Sequence, residues 1–336
     1  MKKILMGLIL ILAAKSAFAG DETATMHVGY FANLTHLTAI LGRANGAFEK
    51  SLGPGTHIEW TIFNAGPSVI EALFAGKIDL AYIGPSPAVN GFVKSRGEAL
   101  RVVAGAASGG AALVVREDAG IQSPADFRAK KIASPQIGNT QDVALRAWIA
   151  GQGLALKEKG GDVQVLPVAS ADQVTLFARK EIDAAWNVEP WVSILAQNGG
   201  RIFLDEASLW PEGKYATTLV VARKEFLDRH PDAVKKFLAA HLEVTQWIHD
   251  DPAAAKRLFN AELEKWTRKR LPDAVLDSAF QRIRFTWEPL KASVERQAEA
   301  ATKAGFLKVR PDVSALFDLK LLETLQSDKI QGSNQS

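Results

Sequence analysis

Two stretches, "FNAGPSVIEALFAGKIDLAYIGPSP" (residues 63–87) and "LPVASADQVTLFARKEIDAAWNVEP" (residues 166–190), can be laid on one another. Leu73-Phe74-Ala75 falls on Leu176-Phe177-Ala178 and Ser86-Pro87 on Glu189-Pro190, and Ile78-Asp79 meets Ile182-Asp183 after a one-residue slip. Each stretch reads as a strand end, a loop of small residues, an amphipathic helix, a strand carrying "ID", and an Xaa-Pro corner that starts another helix. Two βαβ units obey the same constraints, so convergence and duplication explain the match equally well.

The same alternation extends outward. Strands over 26–31, 57–63, 78–83 and 100–106 alternate with helices over 37–50, 68–75 and 87–95. A second series places strands over 130–134, 163–168, 182–186 and 201–204 and helices over 140–151, 171–178 and 190–197. This predicts an α/β fold with largely parallel sheets. From about residue 223 the pattern turns helical, with Pro231, Pro252 and Pro272 at first helical positions. In the first of these helices Val234, Phe237, Leu238, His241, Leu242 and Ile248 share one face. No low-complexity linker separates the halves, which predicts a close two-lobe body, and the polar tail "QSDKIQGSNQS" is expected to fray.

The first residues read as an export signal. Lys2 and Lys3 precede the apolar run "ILMGLILILAA", and Ala17-Phe18-Ala19 fits a small-x-small cleavage site. The run is short for a membrane span, and no later stretch is apolar enough. Cleavage near Ala19 predicts an exported mature chain, and without a following cysteine no lipid is attached there. Of 40 basic residues the leader carries three lysines, so the remainder balances the 37 acidic ones. A neutral mature protein gives no argument for nucleic acid or an anionic membrane. The absence of cysteine excludes disulfides, thiolate metal sites and cysteine nucleophiles.

In open α/β sheets ligands bind beyond the carboxyl ends of the strands. Those positions are "ANLTH" (32–36), "NAGPS" (64–68), "GPSP" (84–87), "ASGG" (107–110), "PQIGNTQ" (135–141), "VASAD" (168–172) and "NVEP" (187–190). None holds lysine or arginine, and all but "ASGG" lead into a helix start with unpaired N–H groups. Singly they are ordinary caps and turns; together they describe a neutral cradle for an anion. Ser86 is expected at the N-cap of its helix, and Glu189 is the one obvious carboxylate, free either to meet a ligand amine or to bridge lobes. Tyr82 is expected in the core, while Trp186 suits either the core or a ligand wall. His36 is the one histidine of six in such a loop, and no HExxH, GxSxG, P-loop or GxGxxG occurs.

The stretches "VGYFANLTHLTAILGRANGAFEK", "FNAGPSVIEALFAGKIDLAYIGPSPAV", "AASGGAALVV", "IASPQIGNTQD" and "IDAAWNVEPW" resemble the exported solute-binding proteins of ABC importers for sulfonates, nitrate and taurine. The resemblance covers roughly residues 26–320. It implies a type II periplasmic-binding fold, with two α/β lobes and a hinged ligand cleft. Lobe 1 would be residues 20–112 plus 218–336 and lobe 2 residues 113–217, after a signal peptide at 1–19. "ALVVRED" (112–118) and "TTLVVAR" (217–223) would be the crossovers, their "LVV" runs suiting paired hinge strands. Carried over by position, lobe 1 offers Asn33, Thr35, His36, Asn64, Gly66, Ser86, Ser108 and Gly109. Lobe 2 offers Gln136, Asn139, Thr140, Gln141, Trp186 and Glu189, the last two across from Ser86. The implied function is non-catalytic: a monomer without cofactor or metal binds a small anion and delivers it to a membrane permease with its cytoplasmic ATPase. An aliphatic sulfonate or taurine suits neutral donors best; nitrate, bicarbonate or a thiamine-precursor pyrimidine are the alternatives. An enzyme on the same fold is disfavoured because related desulfinases use a cysteine.

Overall fold

The computed structural model describes residues 24–333, so the expected leader and its cleavage point lie outside the described residues. The chain forms β1 (Ala24–Phe31), β2 (Thr56–Phe63), β3 (Leu80–Ile83) and β4 (Leu100–Gly109), then β5 (Ala111–Arg116), β6 (Lys131–Ser134), β7 (Gln164–Pro167), β8 (Ala184–Val188) and β9 (Gly200–Asp205), and last β10 (Ala216–Arg223) and β11 (Ile283–Phe285). They make a six-stranded sheet in the order β11-β4-β10-β3-β1-β2 and a five-stranded sheet in the order β7-β6-β8-β5-β9. Between strands lie α1 (Leu37–Ala44), α2 (Ala47–Leu52), α3 (Gly66–Phe74), α4 (Pro85–Lys94), α5 (Thr140–Gly151), α6 (Ser170–Ala178) and α7 (Trp191–Gln197). The helical part comprises α8 (Lys224–Arg229), α9 (Pro231–Asp250), α10 (Pro252–Thr267), α11 (Asp273–Gln281), α12 (Lys291–Ala304) and α13 (Lys320–Ser333). No helix among the described residues is long and apolar enough to cross a membrane.

The α/β class and the two lobes are as expected, but the sheets are mixed rather than largely parallel. β1 runs parallel to β2 and β3, and β6 to β7 and β8, whereas β10 is antiparallel to β3 and β4, and β5 to β8 and β9. The reason is where the chain passes between sheets. β4 leaves the first sheet at its carboxyl end through Gly109 and Gly110, both at φ +81°, a conformation that glycine adopts without strain. β5 and β10 therefore each start at the cleft end of their sheet and run against the other strands. The "LVV" runs accordingly lie in different sheets, Leu113-Val114-Val115 in β5 and Leu219-Val220-Val221 in β10, and do not pair with each other. The expected helix over 37–50 is broken into α1 and α2 at Gly46, which sits at φ +72°.

One contact recurs in both lobes and accounts for the repeated "ID". Asp79, just before β3, accepts the His27 N–H of β1 at 2.9 Å, and its own N–H returns to the His27 carbonyl at 2.9 Å. Arg223, at the end of β10, donates Nη2 to Asp79 Oδ1 at 2.7 Å and its backbone N–H to the Asp79 carbonyl at 2.7 Å. In the second sheet Asp183 accepts the Lys131 N–H at 2.9 Å and donates to the Lys131 carbonyl at 2.8 Å. Arg116, at the end of β5, donates its backbone N–H to the Asp183 carbonyl at 2.9 Å and brings Nη2 within 3.7 Å of its carboxylate. Each aspartate thus fixes the beginning of a parallel strand pair and the end of the antiparallel crossover strand at one point.

Apolar side chains cover both faces of the first sheet and both faces of the second. The predicted face of α9 is buried as a whole, from Val234 to Ile248, and each such large side chain contributes about 1.5–3 kcal/mol by leaving water. Its one polar member, His241, is satisfied: the Tyr82 hydroxyl donates to Nδ1 at 2.8 Å, and Nε2–H donates to the Gly105 carbonyl at 2.9 Å. Tyr82 is a core residue, as expected.

The two aspartates differ in burial, with side chains 6% exposed at Asp79 and 23% at Asp183. Removing the buried Asp79 carboxylate leaves the His27 N–H unpaired and takes one of two carboxylate partners from the half-buried Arg223, which keeps Glu225 at 2.7 Å. Asp79→Ala is expected to cost about 3 kcal/mol and Asp183→Ala about 1 kcal/mol, read from urea unfolding midpoints. Equal losses would mean that the arginine contact in the first sheet adds nothing.

Candidate functional site

The carboxyl ends of both sheets face each other around a small cavity. Phe31, Asn33, Thr35 and His36 line it after β1, Asn64 after β2 and Gly84 after β3. Asn139 and Gln141 line it after β6, with Ser170 at the start of α6, Val188 at the end of β8 and Thr217 in β10. Its free volume is about 20 Å³, room for about one water. No lining side chain is a lysine, arginine, aspartate or glutamate. The leading N–H groups of α5 and α6 have no acceptor within their own helices, and both helices start at this cavity.

The loop after β1 is held by a chain of hydroxyls. Thr218 Oγ1 donates to Thr35 Oγ1 at 3.0 Å, which donates to Asn33 Oδ1 at 2.8 Å; the same Asn33 oxygen accepts the Thr35 N–H at 2.9 Å. His36 Nδ1 accepts the Phe31 N–H at 3.3 Å, which places the ring proton on Nε2. Burial lowers the His36 pKa to about 3, so the ring is neutral and Nε2–H is a donor at any ordinary pH. Asn139 Nδ2 donates to Gln141 Oε1 at 3.0 Å, which leaves the Gln141 amide N–H groups without a partner among the described residues.

Other expected site residues clasp the lobes together. The Gly66 N–H donates to Asn139 Oδ1 at 3.2 Å and Ser68 Oγ to Gln136 Oε1 at 3.1 Å. The Ser86 N–H donates to Thr140 Oγ1 at 3.3 Å, and the Leu34 N–H to the Glu189 carbonyl at 2.9 Å. One glycine permits this approach, because a Cβ on Gly84 would lie 2.2 Å from Thr140 Oγ1; Gly66 instead makes room for Pro87 of its own lobe, whose Cγ would lie 2.3 Å from a Cβ there.

The structure does not gather the rest into the cavity. Gly84 is the N-cap of α4, so Ser86 is the second helical residue and not the cap; its buried Oγ has no partner among the described residues. Ser108 Oγ accepts the Tyr215 N–H at 3.3 Å, and Thr217 Oγ1 donates to the Gly109 carbonyl at 2.6 Å, so both expected residues sew the two passages between sheets. Trp186 is fully buried in the second-sheet core and donates Nε1–H to Glu206 at 2.8 Å. The Glu189 carboxylate faces away from Ser86. It accepts the Ser193 N–H and hydroxyl, each at 3.0 Å, and lies 3.2 Å from Arg282 Nε without hydrogen-bond alignment. Arg282 also donates to Asp205 at 2.8 Å, so this arginine beside β11 spans to the second sheet. Phe31, Gly84, Ser170, Val188 and Thr217 were missed as lining residues; Gly84, Ser170 and Val188 lay inside loops named in the sequence, but small or apolar side chains at strand ends carry no chemical signal.

The sequence profile of the NMT1-like family matches residues 19–261. A candidate binding protein of Brucella abortus is 30% identical over 254 residues, 75% of each chain. The taurine-binding periplasmic protein of Escherichia coli K12 is 26% identical over 70% of each chain. Among solved structures, the alkanesulfonate-binding protein SsuA from Xanthomonas axonopodis pv. citri, bound to MOPS, superposes with a TM-score of 0.69 at 23% identity, covering 87% of this chain and 96% of that one.

Burial, opposed by the Ser193 donors and Arg282, raises the Glu189 pKa from 4.5 to about 7. The folded protein then holds a proton that the unfolded chain has lost, so this group's stabilisation is present below pH 4.5 and is lost as pH rises through 7. His36 and His241, lowered by burial to about 3 and about 4, act in the opposite sense below 6.5. Glu189→Gln removes only the first contribution. Relative to wild type its stability is expected to rise with pH between 4.5 and 7, by at most about 1.4 kcal/mol per unit, in urea titrations at stepped pH. Parallel profiles would show that the carboxyl is ionised throughout.

Proposed function

The chain belongs to the NMT1-like family, and from that premise we propose that it is the periplasmic substrate-binding subunit of an ABC importer that takes up a small organic anion, an aliphatic sulfonate or taurine. The observation that carries the ligand class is the cavity's chemistry. Two helix starts, the His36 Nε2–H and the Gln141 amide meet where no side chain is charged. A sulfonate is fully ionised, needs no proton from the site, and spreads its charge over three oxygens that accept from several neutral donors. A site of this kind selects by donor geometry rather than by a counter-ion.

In this reading residues 20–112 and 218 onward form one lobe and 113–217 the other. The clasp at Gly66, Ser68 and Ser86 closes over the ligand, and the closed form is recognised by a permease with its ATPase. The ligand leaves chemically unchanged, and one monomer carries one ligand. The relatives' names and the shared fold support the importer role.

Isothermal titration with taurine, ethanesulfonate and nitrate is expected to give one ligand per chain with micromolar or tighter Kd for a sulfonate. At 100 Kd the ligand should stabilise the protein by about 2.7 kcal/mol. No stabilisation by any of the three would sink the anion reading. Gly84→Ala tests closure: its Cβ meets only Thr140 across the cleft at short range. Affinity is expected to fall at least tenfold, with the ligand-free urea midpoint nearly unchanged. Undiminished affinity would show that the closed contact is not used in binding.

A further inference from the structure

Three side chains at the central cavity owe their orientation to backbone N–H groups. A backbone N–H only donates, so the side-chain atom that meets it must be an acceptor. The Phe31 N–H meets His36 Nδ1 at 3.3 Å and leaves Nε2 as the protonated nitrogen. The Thr35 N–H meets Asn33 Oδ1 at 2.9 Å and leaves Nδ2 as the free end of that amide. The third chain crosses the cleft. The Gly66 N–H, at the start of α3, meets Asn139 Oδ1 at 3.2 Å, so Asn139 must turn Nδ2 toward Gln141. That nitrogen also only donates, so the atom it meets at 3.0 Å is Gln141 Oε1, and the N–H groups of Gln141 are left as the free end. Asn33, His36, Asn139 and Gln141 all line the cavity.

Each chain thus begins at a backbone N–H and ends at a side-chain N–H. His36 and Asn33 are fixed within the loop after β1, whatever the other lobe does. Gln141 is different, because the group that sets its polarity belongs to the opposite lobe. Asn139 is the N-cap of α5 but makes no side-chain capping bond, so its amide is committed to the relay instead. Without the Gly66 N–H nothing holds the Asn139 amide in one orientation rather than its reverse, and Gln141 can then show either oxygen or nitrogen to the cavity. An oxygen turned toward an anion leaves both without a donor, which is costly in a buried site. Of the two lining hydroxyls, Thr217 spends its proton on the Gly109 carbonyl at 2.6 Å, so the site keeps one acceptor and its preference is one of degree.

Building on the anion reading above, we infer that Asn139 is a positioning residue that carries the polarity of the Gly66 N–H across the cleft to Gln141. Closure of the lobes then makes Gln141 a donor, and the closed site favours an anionic head that carries no proton.

Titrations with ethanesulfonate and ethylphosphonate decide it. Below its second pKa the phosphonate has the same charge and nearly the same shape but keeps one proton. Asn139→Asp keeps the acceptor for Gly66 and a favoured N-cap. Its second oxygen accepts as well, so Gln141 must turn its N–H groups to it and show Oε1 to the cavity. The added charge weakens both anions alike, and the ratio of their affinities is expected to move toward the phosphonate by at least about fivefold. A smaller movement would mean that Asn139 only clasps the lobes, and overturns the inference. The Gln141 side-chain amide protons give a readout that needs no anion. In NMR spectra of the ligand-free protein they are expected to move downfield in Asn139→Asp, and unmoved signals overturn the relay. If neither anion binds wild type, the anion reading fails and this second readout alone decides. Should Asn139→Asp not fold, or bind neither anion, Asn139→Ser removes the relay without adding charge and carries the same comparison.

Discussion

Everything at the cleft depends on two carboxylates at the far end of the sheets. Asp79 and Asp183 each clamp the first residues of a parallel strand pair and receive the arginine that ends the crossover strand. Strands aligned at their beginnings finish together, so the loops after β1, β2, β3, β6 and β7 arrive on one side. Because Arg223 and Arg116 close β10 and β5 at the same points, the reversed strands must begin at the cleft. A buried carboxylate is costly to desolvate, and at Asp79 its lone pairs are met by a backbone N–H and a guanidinium, the condition under which such a group persists. The shared "ID" in the two halves is therefore a repeated mechanical constraint, whatever its ancestry.

That alignment brings more polar groups to the cleft than a ligand can use, and the structure divides them. One set joins lobe to lobe: the Gly66, Ser86 and Leu34 N–H groups with acceptors on Asn139, Thr140 and Glu189. Another faces the residual space: His36 Nε2, the Gln141 amide and the starts of α5 and α6. A lobe-to-lobe hydrogen bond is worth only about 1 kcal/mol net, so a few such bonds close the cleft without locking it. The Arg282 hydrogen bond to Asp205 adds a charged tie to the second sheet, away from the neutral cavity.

The element order was legible because period and punctuation carried it. Helix 140–151 and the α9 face stand as read, and most other boundaries differ by one to four residues. Sheet direction was not legible: periodicity is the same in parallel and antiparallel strands, and only the passage at Gly109-Gly110 decides it. At the site, the loops were legible and the side-chain roles were not. Asn33, Thr35, His36, Asn64, Asn139 and Gln141 do line the cavity, whereas Ser108 and Gly109 brace the crossing and Trp186 fills the core. A serine before a proline reads as a cap, yet α4 already begins at Pro85, which needs no hydrogen bond at its nitrogen.

That single-residue shift matters to how the cleft is divided. With Gly84 as cap, the absent side chain lets Thr140 come within hydrogen-bonding distance of the Ser86 N–H. A side chain there would collide with Thr140 and hold the lobes apart. Two residues further on, the Ser86 hydroxyl is buried without a partner among the described residues and stays outside the donor set of the cavity. The stiff Gly-Pro-Ser-Pro corner thus serves the cleft twice: Gly84 lines the neutral cavity, and the Ser86 N–H reaches Thr140 on the other side.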